Sequence, residues 1–394
     1  MQFLLKALVT IAVAATFAQA AEKPESGITI PLTRRKSHLS TGEELDLQAV
    51  VARMGNIQRK YKRSMDNYKR RTGKVNPLVR ALLDLVKRDD TTSINLDVVE
   101  DGQLWTGPVS FGGQKFQLDF DTGSADIIVN PGAYHPSGSA KNTHTGFSTA
   151  YADGTSAKGD VYLDKFQIGS ISAKNVAIGR SKVQFIKGEG NSEGIAGLSF
   201  NSISTFKSDK YKPFFDTFVE EKAVKSPQFQ FSLQKDSGSE LYFGGIDQSK
   251  ISGDIAWGKV DSSNGFWASD MAINGQKITG ILDSGSTIIT GPTDQVRRLF
   301  NKLGGVQSFT QGSQLFGAYD CNKSPDVTLE FGGQKFKLEK DVLSFGKSNG
   351  KCVLAVNGMD NIPMNAWIIG DTFFIGHSVI FDVEKERAGI AKRS

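Results

Sequence analysis

Gly113-Gln114-Lys115-Phe116-Gln117-Leu118-Asp119-Phe120-Asp121-Thr122-Gly123-Ser124 returns 162 positions later as Gly275-Gln276-Lys277-Ile278-Thr279-Gly280-Ile281-Leu282-Asp283-Ser284-Gly285-Ser286, without a gap. Two copies are too few for a solenoid, so the repeat indicates two similar lobes rather than a stacked array. Each copy is an apolar strand running into Asp-Thr/Ser-Gly-Ser. A carboxylate at the end of a buried strand is penalised for ionising. The glycine after it permits a tight turn that aims backbone N–H groups at the carboxylate. The hydroxyls of Thr122, Ser124, Ser284 and Ser286 can satisfy the oxygens and hold the two carboxylates coplanar. If the lobes bring Asp121 and Asp283 together, the pair shares one proton. Such a dyad can act as base and acid in one step, with a water between the carboxylates as nucleophile. A single Asp-Thr-Gly is an ordinary turn after a strand; two in matched context point to chemistry.

Outward from the repeat, short alternating runs recur between Gly, Asn, Asp and Ser clusters. Examples are 116–120, 229–233 and 327–331. They read as strands. Gly112-Gly113 and Gly332-Gly333 sit between such runs and read as hairpin turns. Helical periodicity is scarce, with 293–303 a candidate whose inner face is Leu299, Phe300 and Leu303. The body is therefore expected to be all-β with short helices.

The chain has 394 residues and a formal net charge of +5. Its length suits about two or three folding units and its composition excludes a wholly disordered or collagen-like chain. Residues 1–20 carry Lys6, an apolar run of about a dozen residues and the small-residue exit Ala18-Gln19-Ala20, the pattern of a secretory signal peptide. No later stretch is long and apolar enough for a membrane span, and the charged tail does not read as a lipid-anchor signal. Residues 21–88 hold 16 Lys/Arg against 7 Asp/Glu, which leaves residues 89–394 with a net charge of −5. A basic arm of this kind can bind nucleic acid or an anionic membrane. An exported protein meets little nucleic acid, so a propeptide docked on an acidic body, ending at Lys87-Arg88, explains the asymmetry better. Protonating body carboxylates would weaken that docking in acid.

The only cysteines, Cys321 and Cys352, enclose 30 residues. In an oxidising compartment they are expected to form one disulfide, worth about 3–4 kcal/mol in the loop-entropy view. Two sulfurs with His38, His135, His144 and His377 make no metal spacing. Asn322-Lys323-Ser324 is a glycosylation acceptor pattern followed by Pro325. Gly190-Asn191-Ser192-Glu193-Gly194 satisfies the G-x-S-x-G pattern of serine hydrolases. It lacks the strand-turn-helix context a nucleophilic serine there would need.

These residues resemble the pepsin-like aspartic proteases over 89–394, and fungal secreted members most of all, through Asp121-Thr122-Gly123-Ser124-Ala125-Asp126. The resemblance implies a bilobal all-β double-barrel fold with a long cleft between the lobes, divided here at 89–255 and 256–394. It implies acid endopeptidase activity with Asp121 and Asp283 as the catalytic dyad. Thr122 and Ser284 would lock the two loops together, Gly123 and Gly285 would form their turns, and Ser124 and Ser286 would hydrogen-bond the outer carboxylate oxygens. Tyr151-Ala152-Asp153-Gly154 is similar to the flap that closes over substrate. Ile195-Ala196-Gly197 and Ile368-Ile369-Gly370 match the segments beside each catalytic loop. Phe243-Gly244-Gly245-Ile246-Asp247 resembles the hairpin near the lobe junction, and Cys321 and Cys352 fall at the second lobe's disulfide. The leader's Lys60-Tyr61 matches the pair that plugs the dyad in family zymogens.

Three residues depart from the pattern: Ile128 replaces a tryptophan that supports the flap tyrosine, Ala152 a flap glycine, and Gly112 a proline. The signal segment leaves delivery extracellular or vacuolar, with monomer the default; the resemblance implies an enzyme restrained by its own propeptide, needing no metal or organic cofactor and acting on proteins or peptides with an apolar preference. Asp119, on the same strand face as Asp121, and Asp153 on the flap would let a lysine enter before the cut. The alternatives are a silent pepsin-like binding or inhibitor protein and a two-carboxylate glycosidase. The first would need a lost dyad or flap residue, and the second would leave the repeat and the leader unexplained.

Overall fold

The computed structural model describes residues 27–34, 40–41, 44–79, 105–150, 156–185, 192–360, 362 and 364–394. The signal segment 1–20, the flap tip 151–154 and the processing pair Lys87-Arg88 lie outside the described residues.

The first copy of the repeat forms the strand Gln114–Asp121, whose Phe116, Leu118 and Phe120 are buried. It is joined to Trp105–Phe111 by a hairpin at Gly112 and Gly113, both with φ in the left-handed region, +50° and +88°, that glycine alone enters without strain. From there the ladder runs through Gly194–Gly197, Ile127–Val129, Ile171–Ser181 and Ser156–Ile168 and returns to Trp105–Phe111, closing a six-stranded barrel. Closure leaves no open edge. Aromatic rings fill it, with Phe111 stacked on Phe166 at 4.5 Å.

The second copy, Gln276–Leu282, anchors the second lobe with Ala268–Ile273, Trp367–Ile369, Ile289–Gly291 and Lys351–Met359. The helix expected at 293–303 spans Thr293–Lys302, with Val296, Leu299 and Phe300 buried. The hairpin expected at Gly332-Gly333 joins Thr328–Phe331 to Gln334–Lys337. Cys321 and Cys352 are bonded. Both lobes repeat one device. The strand ending in Asp121 pairs in parallel with Gly194–Gly197, and the strand before Asp283 pairs in parallel with Trp367–Ile369. Each carboxylate therefore leaves the end of a central, doubly paired strand.

Beneath the lobes, Ile251–Lys259, Arg387–Arg393, His377–Asp382, Gln228–Ser232 and Ser239–Phe243 form one antiparallel sheet. The leader strand Ile28–Arg34 pairs with Ser239–Phe243 on one side and Trp105–Phe111 on the other, so the leader joins this base to the first barrel.

The sequence reading found little helix, yet the leader contains the longest among the described residues, Leu47–Thr72. Asp46 caps its start, accepting from the N–H groups of Gln48 and Ala49 at 3.0 Å each. Gly73, at φ +68°, ends it in the left-handed conformation. Its buried face is Val50, Met54, Ile57, Tyr61, Met65 and Tyr68, spaced three or four apart. That face packs mainly on the second lobe, against Phe266, Ile288, Phe316, Val353, Met359 and Ile368.

Candidate active site

The two repeat loops meet at the lobe junction and grip each other reciprocally. Thr122 Oγ1 donates to Leu282 O at 2.9 Å and accepts from Ser284 N at 2.9 Å; Ser284 Oγ donates to Phe120 O at 2.8 Å and accepts from Thr122 N at 3.1 Å. Every group in this exchange is buried, so each is satisfied by a partner on the other lobe. Within each loop the glycine N–H turns back on its own carboxylate, Gly123 to Asp121 Oδ1 at 2.8 Å and Gly285 to Asp283 Oδ1 at 3.0 Å. A side chain is impossible at either glycine. A Cβ on Gly123 would stand 2.5 Å from Asp283 Oδ1, and one on Gly285 would overlap the Asp121 carboxyl.

Between the carboxylates sits Lys60 of the leader helix. Its Nζ lies 2.7 Å from Asp121 Oδ1 and 2.9 and 3.1 Å from the two oxygens of Asp283. Tyr61 donates its phenol to Asp283 Oδ2 at 2.8 Å and packs its ring against Phe266 at 5.2 Å. Burial alone would lower the lysine; Asp121 and Asp283 outweigh it and raise Lys60 above its ordinary value. Burial, reinforced by Asp283, pushes the Tyr61 phenol well above its usual range, so it remains a neutral donor.

The carboxylates are not equivalent. Burial pushes Asp121 above the usual carboxylate range against the pull of Lys60. Burial pushes Asp283 up too, but Lys60 and the Ser286 hydroxyl outweigh it and hold Asp283 below that range. Ser286 Oγ donates to Asp283 Oδ2 at 2.6 Å. The matching hydroxyl, Ser124 Oγ, is buried and makes no hydrogen bond, although it stands near enough to lower the Asp121 carboxyl.

Asp119 is 2% exposed and accepts the Ser192 hydroxyl on Oδ2 at 3.0 Å. The same hydroxyl reaches Gly194 O at 3.1 Å, just before the strand Gly194–Gly197. No helix follows Ser192, so the G-x-S-x-G pattern has no strand-turn-helix elbow here. Ile128 pairs with Ile195 on the neighbouring strand and packs with Phe147, Phe185 and Phe206.

Sequence reasoning missed how the leader's far end is held. Arg70 Nη2 donates to Ser204 O and Thr205 O at 3.0 and 3.1 Å. Arg71 donates to Phe206 O at 2.6 Å, Asn201 Oδ1 at 3.0 Å and Asp209 Oδ1 at 2.6 Å. Asn67 reaches Ile203 O, and Asn76, past the helix, reaches Asn264 O. Backbone carbonyls carry no signature in the residue letters, so only the leader's arginine cluster could have hinted at this seat.

Comparison with known proteins accords with this geometry. The family profile described as eukaryotic aspartyl protease matches residues 105–393. The chain is 46% identical to secreted aspartyl protease 1 of Malassezia globosa, over the full length of both. It is 33% identical to an aspartic protease of Phaffia rhodozyma, over 73% of this chain and 76% of that one. Penicillopepsin-1 of Penicillium janthinellum is 29% identical, over 73% and 94% respectively. The chain thus belongs to the eukaryotic aspartyl proteases and is an aspartic endopeptidase.

Proposed function

We propose that this chain is the precursor of a secreted aspartic endopeptidase. Residues 1–20 are its signal peptide, 21–88 its inhibitory propeptide, and 89–255 and 256–394 its two catalytic lobes. The observation that carries the reading is the ammonium of Lys60 held within 3 Å of both Asp121 and Asp283. A cation at that point neutralises the pair and fills the place where a nucleophilic water would sit.

With the leader gone, the two carboxyls retain one proton between them. The ionised member takes a proton from the bound water as its oxygen attacks the peptide carbonyl carbon. The protonated member gives its proton to the carbonyl oxygen. The resulting diol collapses as the amide nitrogen takes the proton now held by the first carboxyl, a diol hydroxyl gives its proton to the other carboxylate, and the C–N bond breaks, which leaves the pair with one shared proton. The Ser286 hydrogen bond favours Asp283 as the ionised partner and Asp121 as the proton holder. Thr122 and Ser284 keep the carboxylates coplanar, and the flap from Tyr151 to Gly154 excludes water over the substrate.

The substrates are proteins and peptides with apolar residues about the cut. Acceptance of lysine before it would fall to Asp119 with Asp153, and since Ser192 already occupies one Asp119 oxygen, Asp153 carries the larger share. Cleavage after lysine that is unchanged in Asp153→Ala would remove this element of the proposal.

The test is to compare full-length protein with protein whose leader has been cut after Arg88 and removed. The leader-free product should hydrolyse peptides in acid and be blocked by a statine-type transition-state mimic. At the same mildly acid pH, with its leader verifiably uncut, the full-length protein should be silent. Equal activity of both forms would overturn the inhibitory role of the leader; silence of both, with the leader verifiably absent, would overturn the endopeptidase mechanism.

A further inference from the structure

The seat that holds Arg70 and Arg71 belongs to the body of the protein and remains when the leader is removed. It is built on the short 3₁₀ turn Asn201–Ile203. The carbonyls that follow such a turn have no acceptor role within it and point outward with partial negative charge. Those of Ser204, Thr205 and Phe206 converge, with Asn201 Oδ1, on the two guanidinium groups at 2.6–3.1 Å. The Arg71 side chain is 6% exposed there, so the seat desolvates that guanidinium and replaces its water with fixed oxygens, while Arg70 stays exposed at the edge.

The carbonyls are fixed from beneath. Buried Asp126 accepts from Ser204 Oγ, Thr205 N and Thr205 Oγ1 at 2.5, 2.6 and 2.7 Å. This ties the segment in place beside both arginines, with burial holding the Asp126 carboxyl above its ordinary range. Asp209 is the rim: it pairs with Arg71 at 2.6 Å but is itself 85% exposed, which leaves it a small share of the binding. Preorganised acceptors of this kind bind without paying for their own ordering.

We propose that this carbonyl cradle is a substrate subsite for a basic side chain, arginine above lysine, remote from the scissile bond. It deepens the endopeptidase reading and rests on it. Ten helical residues separate Lys60, at the dyad, from Arg70, a span of about 15 Å at 1.5 Å per residue. An extended peptide covers the same distance in about four or five residues at ~3.3 Å each. The favoured arginine therefore lies four or five residues from the cut, on one side only. A planar guanidinium with several donors suits a fan of carbonyls better than a point-like ammonium does. Carbonyl oxygens also keep their charge in acid, where a carboxylate-based subsite would be protonated.

The experiment is an arginine walk: a peptide of fixed cleavage sequence with a single Arg moved from six residues before the cut to six after. It is assayed with leader-free protein and with its Asn201→Ala/Asp209→Asn double variant. The expected result is a gain in kcat/KM of about tenfold over the all-Ala parent at one or two adjacent positions, the size of one or two charged hydrogen bonds. The gain should shrink in the double variant while the parent peptide is cleaved as before. A flat walk, or a gain that survives the double variant undiminished, would overturn the cradle. Binding of the same peptides to leader-free Asp121→Asn protein separates this from the underlying reading. Position-dependent tightening by arginine would leave the cradle standing even if no peptide were ever cut, and a flat binding profile would remove it even in a fully active enzyme.

Discussion

The Asp121 and Asp283 loops are nearly the same in sequence, and their backbones are nearly the same in structure, yet they are not the same acid. Each follows a doubly paired strand, each turns on a glycine whose N–H caps its own carboxylate, and each exchanges a hydroxyl with the other lobe. The difference lies in burial, in Lys60 and in the donors around each carboxylate. Ser286 donates to Asp283 and Ser124 does not donate to Asp121, and the leader's Tyr61 adds a second donor on the same side. Duplication supplies two like carboxylates, and their surroundings set them apart; in the mechanism proposed above, that difference decides which member holds the shared proton.

The largest effect expected from breaking the comparison is loss of either acid. Asp121→Asn and Asp283→Asn should each lower kcat by at least about 10³-fold with the fold intact, because each removes one half of the proton transfer. A variant that keeps most of its activity would mean that the pair does not act as a unit.

Next comes the group that sits between the loops. Lys60→Met in the full-length protein should let the precursor cleave peptide before its leader is cut, read as activity against intact mass. Asp283 and Lys60 set the acid limb of leader docking, and Asp121, held above its usual range, opposes them as pH rises through its raised value. Asp283 is held low, so its contribution is present above the usual carboxylate range and lost as pH falls through its lowered value. Lys60 is raised, so its contribution is present below the ordinary lysine value and lost only as pH rises through the raised one. Docking should therefore weaken in strong acid and hold at neutral pH, and Lys60→Met should flatten that acid limb in a thermal melt.

The reciprocal grip is the symmetric feature, and it should respond symmetrically. Thr122→Val and Ser284→Ala each leave buried partners on the opposite loop without a hydrogen bond, at a cost of about 1–3 kcal/mol of stability. Unequal melting shifts would show that one lobe carries the junction. The serines behind the carboxylates should respond in the opposite way. Ser286→Ala removes a donor to the ionised form and should move the acid limb of the kcat/KM profile of leader-free enzyme to higher pH. Ser124→Ala should move it much less. Equal shifts would erase the distinction between the loops.

Much of this was legible in the sequence. The repeated strand-Asp-Thr/Ser-Gly-Ser, the Gly-Gly hairpins, the 293–303 helix and the Cys321–Cys352 pairing are local patterns, and local patterns survive in letters. What stayed hidden was either masked or carried by the backbone. The leader helix has an apolar stripe from Val50 to Tyr68, but its cations swamp that stripe in a composition count and drew attention to charge rather than period. Ser124 and Ser286 are the same letter in the same motif, so their different bonding could not be read from either copy. The arginine seat is made of carbonyls that every residue possesses; only Asn201, Asp126 and Asp209 mark it, and nothing in their spacing singles them out.

The most direct test of the central claim is the rate of peptide hydrolysis from about pH 3 to 7 by leader-free protein, with and without a statine-type mimic, beside Asp121→Asn. The unequal, proton-sharing pair predicts cleavage in acid that the mimic blocks, that declines toward neutral pH, and that vanishes in the variant. Hydrolysis that persists in Asp121→Asn, or none at any pH with the leader gone, would contradict it.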